Sequence, residues 1–152
     1  TSEPVVDYLT RFSGVVPGDL DPTVSRKRLT TFKNVYLKLR YLIDSGCVFV
    51  GHGLHNDLKV LGVHVPPEQM IDTVELFHIE RQRWVSLRFL AAFLLHIEIQ
   101  ANVHDSVEDA RTALALYNVY EELRKSGQVQ KVIQDIYQAG RTSNWQIPTK
   151  PL

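Results

Sequence analysis

Residues 47–62 read CVFVGHGLHNDLKVLG, and this stretch decides the fold class. It opens with four apolar residues, passes through two glycines, and then carries leucines at positions 54, 58 and 61. The apolar run predicts a short strand buried on both faces, and the leucine spacing predicts a helix that ends at Gly62. A strand that turns sharply into a helix is typical of α/β proteins, in which helices cover a sheet.

Helical spacing of apolar residues dominates the rest of the chain. It predicts further helices at about residues 2–14, 30–44, 86–94, 105–125 and 129–137. The stretch QMID, residues 69–72, predicts a second strand, and IEI at 97–99 is a candidate third. A buried strand needs hydrogen-bonding neighbours, and so few short strands supply little. We therefore expect further strands of this sheet to lie outside the chain.

Length and composition fit a single globular domain. The 152 residues are 44% hydrophobic and 22% charged, with no apolar run near the roughly 20 residues that span a bilayer. Cys47 is the only cysteine, which excludes an internal disulfide and favours a reducing, cytoplasmic location. Because the chain begins at Thr1, we expect it to be a piece of a longer protein. We place the domain at residues 1–148 and a tail at 149–152.

Charge is balanced overall but unevenly distributed. Acidic and basic residues number 17 each, yet residues 24–43 contain six basic residues and no acidic one. A second basic run, RQRWVSLR at 81–88, surrounds Trp84 with arginines. Such runs suit a phosphate backbone and stacked bases, but a solvated helix face is the explanation that these runs alone favour.

Two aspartates and a histidine stand out near predicted helix starts. Asp57 lies in the first turns of one helix, and Asp109 lies in the first turn of another, five residues after His104. Acids at a helix start can simply accept backbone N–H groups, and the 105/108 and 106/109 spacings both fit a capping box. Alternatively, the two carboxylates bind a metal and His104 acts as a general base. Two Mg²⁺ ions held by several carboxylates are a common means of cleaving phosphodiesters.

Other chemistries are less well supported. Gly51-His52-Gly53 with Asp72 about 20 residues later suits a dinucleotide site, but Asn56 stands where the third glycine is needed. One cysteine and no H-E-x-x-H motif argue against common zinc sites. The scattered histidines at 64, 78 and 96 are interpreted as structural residues.

The candidate segments resemble a known family. VGHGLHNDLKVL, IDT and HDSVEDARTALALY resemble the second and third motifs of DEDD exonucleases of the histidine-containing branch. Three flanking segments resemble, more narrowly, the family of poly(A) deadenylase catalytic subunits found in the PAN complex: YLTRFSGVVPGDLDP, LTTFKNVYLKLRYLID and SLRFLA. The resemblance runs from Glu3 to about Pro148.

The resemblance implies a ribonuclease H-like fold and a Mg²⁺-dependent 3′–5′ exoribonuclease that shortens mRNA poly(A) tails and releases 5′-AMP. It implies that Asp57 and Asp109 bind metal, with two Mg²⁺ ions per complete site, and that His104 activates the attacking water. It also implies poly(A) RNA as substrate, a pseudokinase regulatory subunit, indirect recruitment by poly(A)-binding protein and no membrane. The residues that it places near the RNA 3′ end are Gly51, His52, Leu54, Ser86 and Arg88.

One part of the family pattern is absent. The first motif of DEDD exonucleases is an Asp-x-Glu on an early strand, and no Asp-x-Glu occurs in this sequence. The chain therefore matches a helix-rich part of the domain that lacks two of the four metal carboxylates, and we expect it to be inactive alone. The alternatives are a related RNA or DNA 3′–5′ exonuclease and a non-catalytic fragment that binds RNA or protein.

Overall fold

The computed structural model describes residues 5–100 and 104–147. Its strands are β1 (Phe49–Gly51) and β2 (Met70–Asp72). A short 3-10 helix, Pro67–Gln69, precedes β2, and a π-helical segment, Ala91–Leu95, follows α5. The α-helices are α1 (Thr10–Ser13), α2 (Phe32–Asp44), α3 (Leu54–Leu61), α4 (Thr73–Leu76), α5 (Leu87–Leu90), α6 (Ser106–Lys125) and α7 (Val129–Thr142). None of the described helices has the length and apolar character needed to cross a membrane.

The two strands form a parallel pair in which Gly51 stands opposite Asp72. Because the strands are parallel, both end at the same edge, and the turn into α3 starts there. Helix α6 packs against β1. This arrangement brings the starts of α3 and α4 to one edge of the sheet, and it confirms the prediction of strands at these two places.

The prediction that the first strand is buried on both faces is wrong for this chain. Val48, just before β1, is half-exposed at 52%, and Phe49 and Val50 are only partly buried. The reason is that β2 is the single strand neighbour among the described residues. Part of the apolar surface around β1 is therefore left open.

Most predicted helix ends are confirmed by their caps. Thr31 accepts a hydrogen bond from the amide of Asn34 at the start of α2, and the Ser86 hydroxyl accepts one from Phe89 at the start of α5. Helix α3 ends at Gly62, whose positive φ of 62° suits glycine. The local sequence signals were sufficient here because each cap lies within three residues of its partner.

Two predictions of secondary structure are wrong. In the described part of the chain the first helix begins at Thr10 and residues 5–9 are not helical as predicted, because Leu9 adopts a positive φ of 46° and its amide is bound by the Asp7 side chain. The predicted cap at Ser2 lies outside the described residues. IEI at 97–99 is not a strand: Glu98 pairs with Arg88, and Ile99 buries its side chain in the main core.

The main core lies between α4, α5, α6 and α7. Its fully buried side chains include Phe77, Leu90, Leu116, Ile136 and Tyr137. After α7 the chain turns back, and Trp145 packs edge-on against Tyr137 with ring centroids 5.5 Å apart. A second, smaller cluster of Ile43, Val63 and Val65 supports the other side of the sheet region. The two cores hold α3 and α6, which carry the candidate site residues.

Candidate active site

Asp57 lies in the first turn of α3 and is exposed. Among the described residues, its carboxylate has no hydrogen-bond or ion-pair partner. A carboxylate with free oxygen atoms near the positive end of a helix is available to a hard cation.

His104 and Asp109 meet at the start of α6. The Nδ1 atom of His104 lies 3.4 Å from Oδ2 of Asp109, and the two side chains are 37% and 26% exposed. Because Nδ1 faces the carboxylate, Nε2 is the ring nitrogen that remains available as a proton acceptor. The pair thus has the arrangement of a base oriented by an acid.

The N-terminal segment holds His104 in place. The amide of His104 donates to the carbonyl of Arg11 at 3.2 Å, and the imidazole lies beside the Phe12 ring with centroids 6.2 Å apart. Helix α1 therefore supports the loop that presents the histidine.

A separate residue, Asp105, caps α6. Its carboxylate accepts hydrogen bonds from the amides of Val107 and Glu108 at 2.8 and 3.1 Å. The Glu108 amide, followed by that of Val107, holds the pKa of Asp105 below its usual range. Since Asp105 does the capping, the Asp109 carboxylate is not needed for that purpose. The interpretation of Asp109 as merely a cap is therefore unsupported.

The structure adds one residue that the sequence did not reveal. The Gln100 side-chain amide donates to Oδ1 of Asp109 at 2.6 Å, and its backbone amide donates to Glu108 at 3.3 Å. Asp109 is thus held on one oxygen by Gln100 and faces His104 with the other. Because Gln100 adopts a positive φ of 53° in an irregular segment, no periodic pattern pointed to it.

The turn between β1 and α3 is bound by the end of β2. The Asp72 carboxylate accepts the amides of Gly53 and Leu54, each at 2.8 Å. These are the N–H groups that a pyrophosphate would need in a dinucleotide site. The dinucleotide alternative is therefore wrong, because an acidic side chain of the protein itself occupies that position.

His52, in the same turn, is partly buried. Its Nδ1 atom lies 2.9 Å from the Thr73 hydroxyl oxygen. Burial lowers the pKa of His52, and the nearby carboxylates of Asp72 and Asp109 only partly oppose this effect.

The other residues expected near RNA have identifiable structural roles. Ser86 caps α5, and Arg88 donates to Glu98 at 3.1 Å while its buried Nε finds no partner among the described residues. Gly51 is buried, and a Cβ there would collide with the side chain of Leu54. Their contact with RNA remains a prediction.

The chain supplies only half of the carboxylates that a two-metal site of this family needs. Carboxylate oxygens are the ligands that Mg²⁺ prefers, and Asp57 and Asp109 supply one carboxylate each. However, no cluster of three or more acidic, histidine or cysteine side chains suited to a metal occurs in the parts of the chain that the structure describes. The donor set therefore fits Mg²⁺ in kind, whereas two carboxylates are fewer than a two-ion site needs.

Comparison with known proteins identifies the family of the chain. An exonuclease family model (RNase_T) matches residues 1–117, which include both aspartates and His104. The chain belongs to this exonuclease family. The catalytic subunit PAN2 of the human PAN2-PAN3 deadenylation complex is 54% identical over 97% of this exonuclease chain. The Schizosaccharomyces pombe subunit is 48% identical over 98% of it. The chain spans only 13% and 14% of the length of these two relatives.

Solved structures confirm the fold class. The Pan2 pseudoubiquitin hydrolase-RNA exonuclease module of Saccharomyces cerevisiae, in complex with AAGGAA RNA, matches with a TM-score of 0.92 and 47% identity. The match covers 97% of this exonuclease chain and 24% of that one. The Neurospora crassa Pan2 catalytic unit matches with a TM-score of 0.86 over 90% of the chain. The prediction of an α/β, ribonuclease H-like exonuclease fold is confirmed by these likenesses.

Proposed function

We propose that the chain forms part of the active site of a 3′–5′ exoribonuclease that shortens mRNA poly(A) tails and releases 5′-AMP. The observation that carries this proposal is the His104–Asp109 pair at 3.4 Å, in a chain of the exonuclease family. The relatives named as deadenylation catalytic subunits supply the substrate class.

The residues of this chain contribute acid–base catalysis. His104 takes a proton from the attacking water at Nε2, while the Asp109 carboxylate, whose Oδ2 lies 3.4 Å from Nδ1, stabilises the imidazolium that forms. Water attacks the phosphorus of the terminal phosphodiester, the bond to the O3′ of the preceding nucleotide breaks, and this O3′ takes up a proton from the surrounding water. Asp57 and Asp109 would hold Mg²⁺, which when bound stabilises negative charge on the phosphate.

The partner proposals follow from the relatives' names. Because the relatives are catalytic subunits of PAN2-PAN3 complexes, we propose that the longer protein binds a regulatory subunit of the PAN3 kind. Indirect recruitment by poly(A)-binding protein and a cytoplasmic location remain predictions from the resemblance.

The decisive experiment uses the longer protein that contains this chain. It is incubated with oligo(A) labelled at the 5′ end and with Mg²⁺, beside reactions with chelator. We expect a ladder of products shortened from the 3′ end, abolished by chelator and by Asp109→Asn.

Two further substrates and a binding measurement separate the alternatives. Equal digestion of oligo(A) and oligo(dA) would indicate a DNA-directed exonuclease of the same branch, and equal digestion of oligo(A) and oligo(U) would remove the preference for adenosine. Binding of oligo(A) without any shortening would indicate a non-catalytic RNA-binding protein.

A further inference from the structure

We propose that Asp72 and Thr73 are positioning residues that lock the turn Gly51–Leu54 and thereby set the position of Asp57. This inference rests on the proposed function, because Asp57 is taken there as a metal ligand. It assigns a role to the two residues at the end of β2, neither of which is a candidate for the chemistry itself.

Asp72 supplies the cap that α3 lacks. The residue before α3 is Gly53, which has no side chain to accept the first amides of the helix. Asp72 receives the amides of Gly53 on Oδ1 and of Leu54 on Oδ2, both at 2.8 Å. Its Oδ1 also accepts the amide of Val74 at 3.1 Å, so one carboxylate caps α3 and α4 together. A negative charge at these N-termini is favourable.

Thr73 fixes the other half of the turn. It is completely buried, and its hydroxyl donates to the carbonyl of Gly51 at 2.9 Å. Since a hydroxyl has one proton, the oxygen must then accept from Nδ1 of His52, 2.9 Å away. Thr73 therefore sets both the path of the backbone and the tautomer of the histidine.

The two side chains together bind all four residues of the turn. Asp57 follows Leu54 by three residues, which is less than one helical turn, so a tilt of the turn also shifts the backbone that carries the Asp57 carboxylate. Misplacement of a catalytic group by about 1 Å can cost about 10²-fold in rate.

The test uses Asp72→Asn and Thr73→Val in the longer protein, with Thr73→Ser as the conservative variant. Three quantities are measured: kcat and KM on oligo(A), the Mg²⁺ concentration that gives half the maximal rate, and the hydrogen-exchange rates of the Gly53 and Leu54 amides. Asp44→Asn, an exposed change at the end of α2, is the matched control.

For Asp72→Asn we expect a fall in kcat of about 10²-fold, a higher Mg²⁺ requirement and faster exchange of both amides. KM on oligo(A) should change less than kcat. Thr73→Val should also lower kcat and raise the Mg²⁺ requirement, whereas Thr73→Ser and Asp44→Asn should resemble the wild type. If Asp72→Asn fails to fold, the Thr73 pair of variants decides the question.

Two other results would contradict either this proposal or the proposed function on which it rests. A lower melting temperature with unchanged kcat and Mg²⁺ requirement in the folded fraction would show that the residues are merely structural, and would overturn the proposal. If the wild-type protein has no exonuclease activity, the proposed function fails instead. In that case the hydrogen exchange of the Gly53 and Leu54 amides in Asp72→Asn still tests whether Asp72 holds the turn. Unchanged exchange rates would overturn the proposal.

Discussion

The imidazole of His104 and the carboxylate of Asp109 face each other across the first turn of α6, with Nδ1 and Oδ2 3.4 Å apart. The N-terminal cap of α6 is Asp105, so helix capping does not explain this pair. The relationship leads directly to a prediction for each member.

His104→Ala should lower kcat on oligo(A) by about 10²–10⁴-fold, because the attacking water loses its base. Binding of Mg²⁺ should be nearly unchanged, since the aspartates remain. Single-turnover rates and Mn²⁺ titration measure the two effects. The control is His64→Ala, which removes an exposed histidine; a rate for His104→Ala within a few-fold of the control would return His104 to a structural role.

Asp57→Asn and Asp109→Asn should each lower the rate by at least about 10²-fold, because a metal site worth several kcal/mol loses a charged ligand. Both proteins should remain folded, since Asp57 is exposed and Asp109 does not cap α6. Activity assays and circular dichroism check this, again beside Asp44→Asn. Near-wild-type activity of either variant would remove that carboxylate from the metal site.

The 152 residues on their own should not digest oligo(A). Two carboxylates cannot hold a pair of Mg²⁺ ions in register with a phosphate, because Mg²⁺ gives up its water reluctantly and demands near-octahedral geometry. The measurement compares this chain with a longer protein that includes an upstream Asp-x-Glu. Chelator-sensitive shortening by the short chain would mean that other residues complete the site.

His52 should make stability fall in mild acid. Burial lowers its pKa in the folded state, so below its ordinary pKa of about 6.5 the unfolded chain binds more protons than the folded one. The free energy of unfolding therefore decreases as the pH falls through about 6.5 towards the folded-state pKa. Denaturation at pH 7.5 and 5.5 should show a smaller difference for His52→Gln than for the wild type. His64→Gln should retain the wild-type difference.

Gly140→Ala should destabilise the protein by about 1–3 kcal/mol, as overpacking does. A Cβ at Gly140 would lie 2.5 Å from the ring of Trp145. In a Trp145→Ala background the same change should instead stabilise by up to about 1 kcal/mol, because alanine is the better helix former. Chemical denaturation of the four proteins measures both signs. A destabilisation of equal size in both backgrounds would show that the tryptophan ring is not the cause.

The features that the sequence predicted well are local. The end of α3 at Gly62 and the start of α5 at Ser86 follow from residues within one turn of the boundary. The spacing that leads from His104 to Asp109 is also local, and the structure does bring these two together.

The features that the sequence did not reveal depend on distant contacts. Asp72 reaches Gly53 across 19 residues of chain, and this bond exists only because β1 and β2 are parallel and in register. Gln100 reaches Asp109 through a backbone conformation that glutamine rarely adopts. The chain also folds back after α7, and the only sequence signal for this was a large aromatic residue, Trp145, in a polar segment.

The π-helical segment Ala91–Leu95 also bears on how the chain tolerates insertions and deletions. A π turn accommodates one more residue than the α turn that it replaces. Deleting one residue from this segment would therefore leave a plain α-helical turn and keep the flanking residues in place. The same deletion in the middle of α6 would rotate every later side chain by about 100° and turn Leu116 out of the core. Length variation among homologues should accordingly be found at residues 91–95 and not within α6.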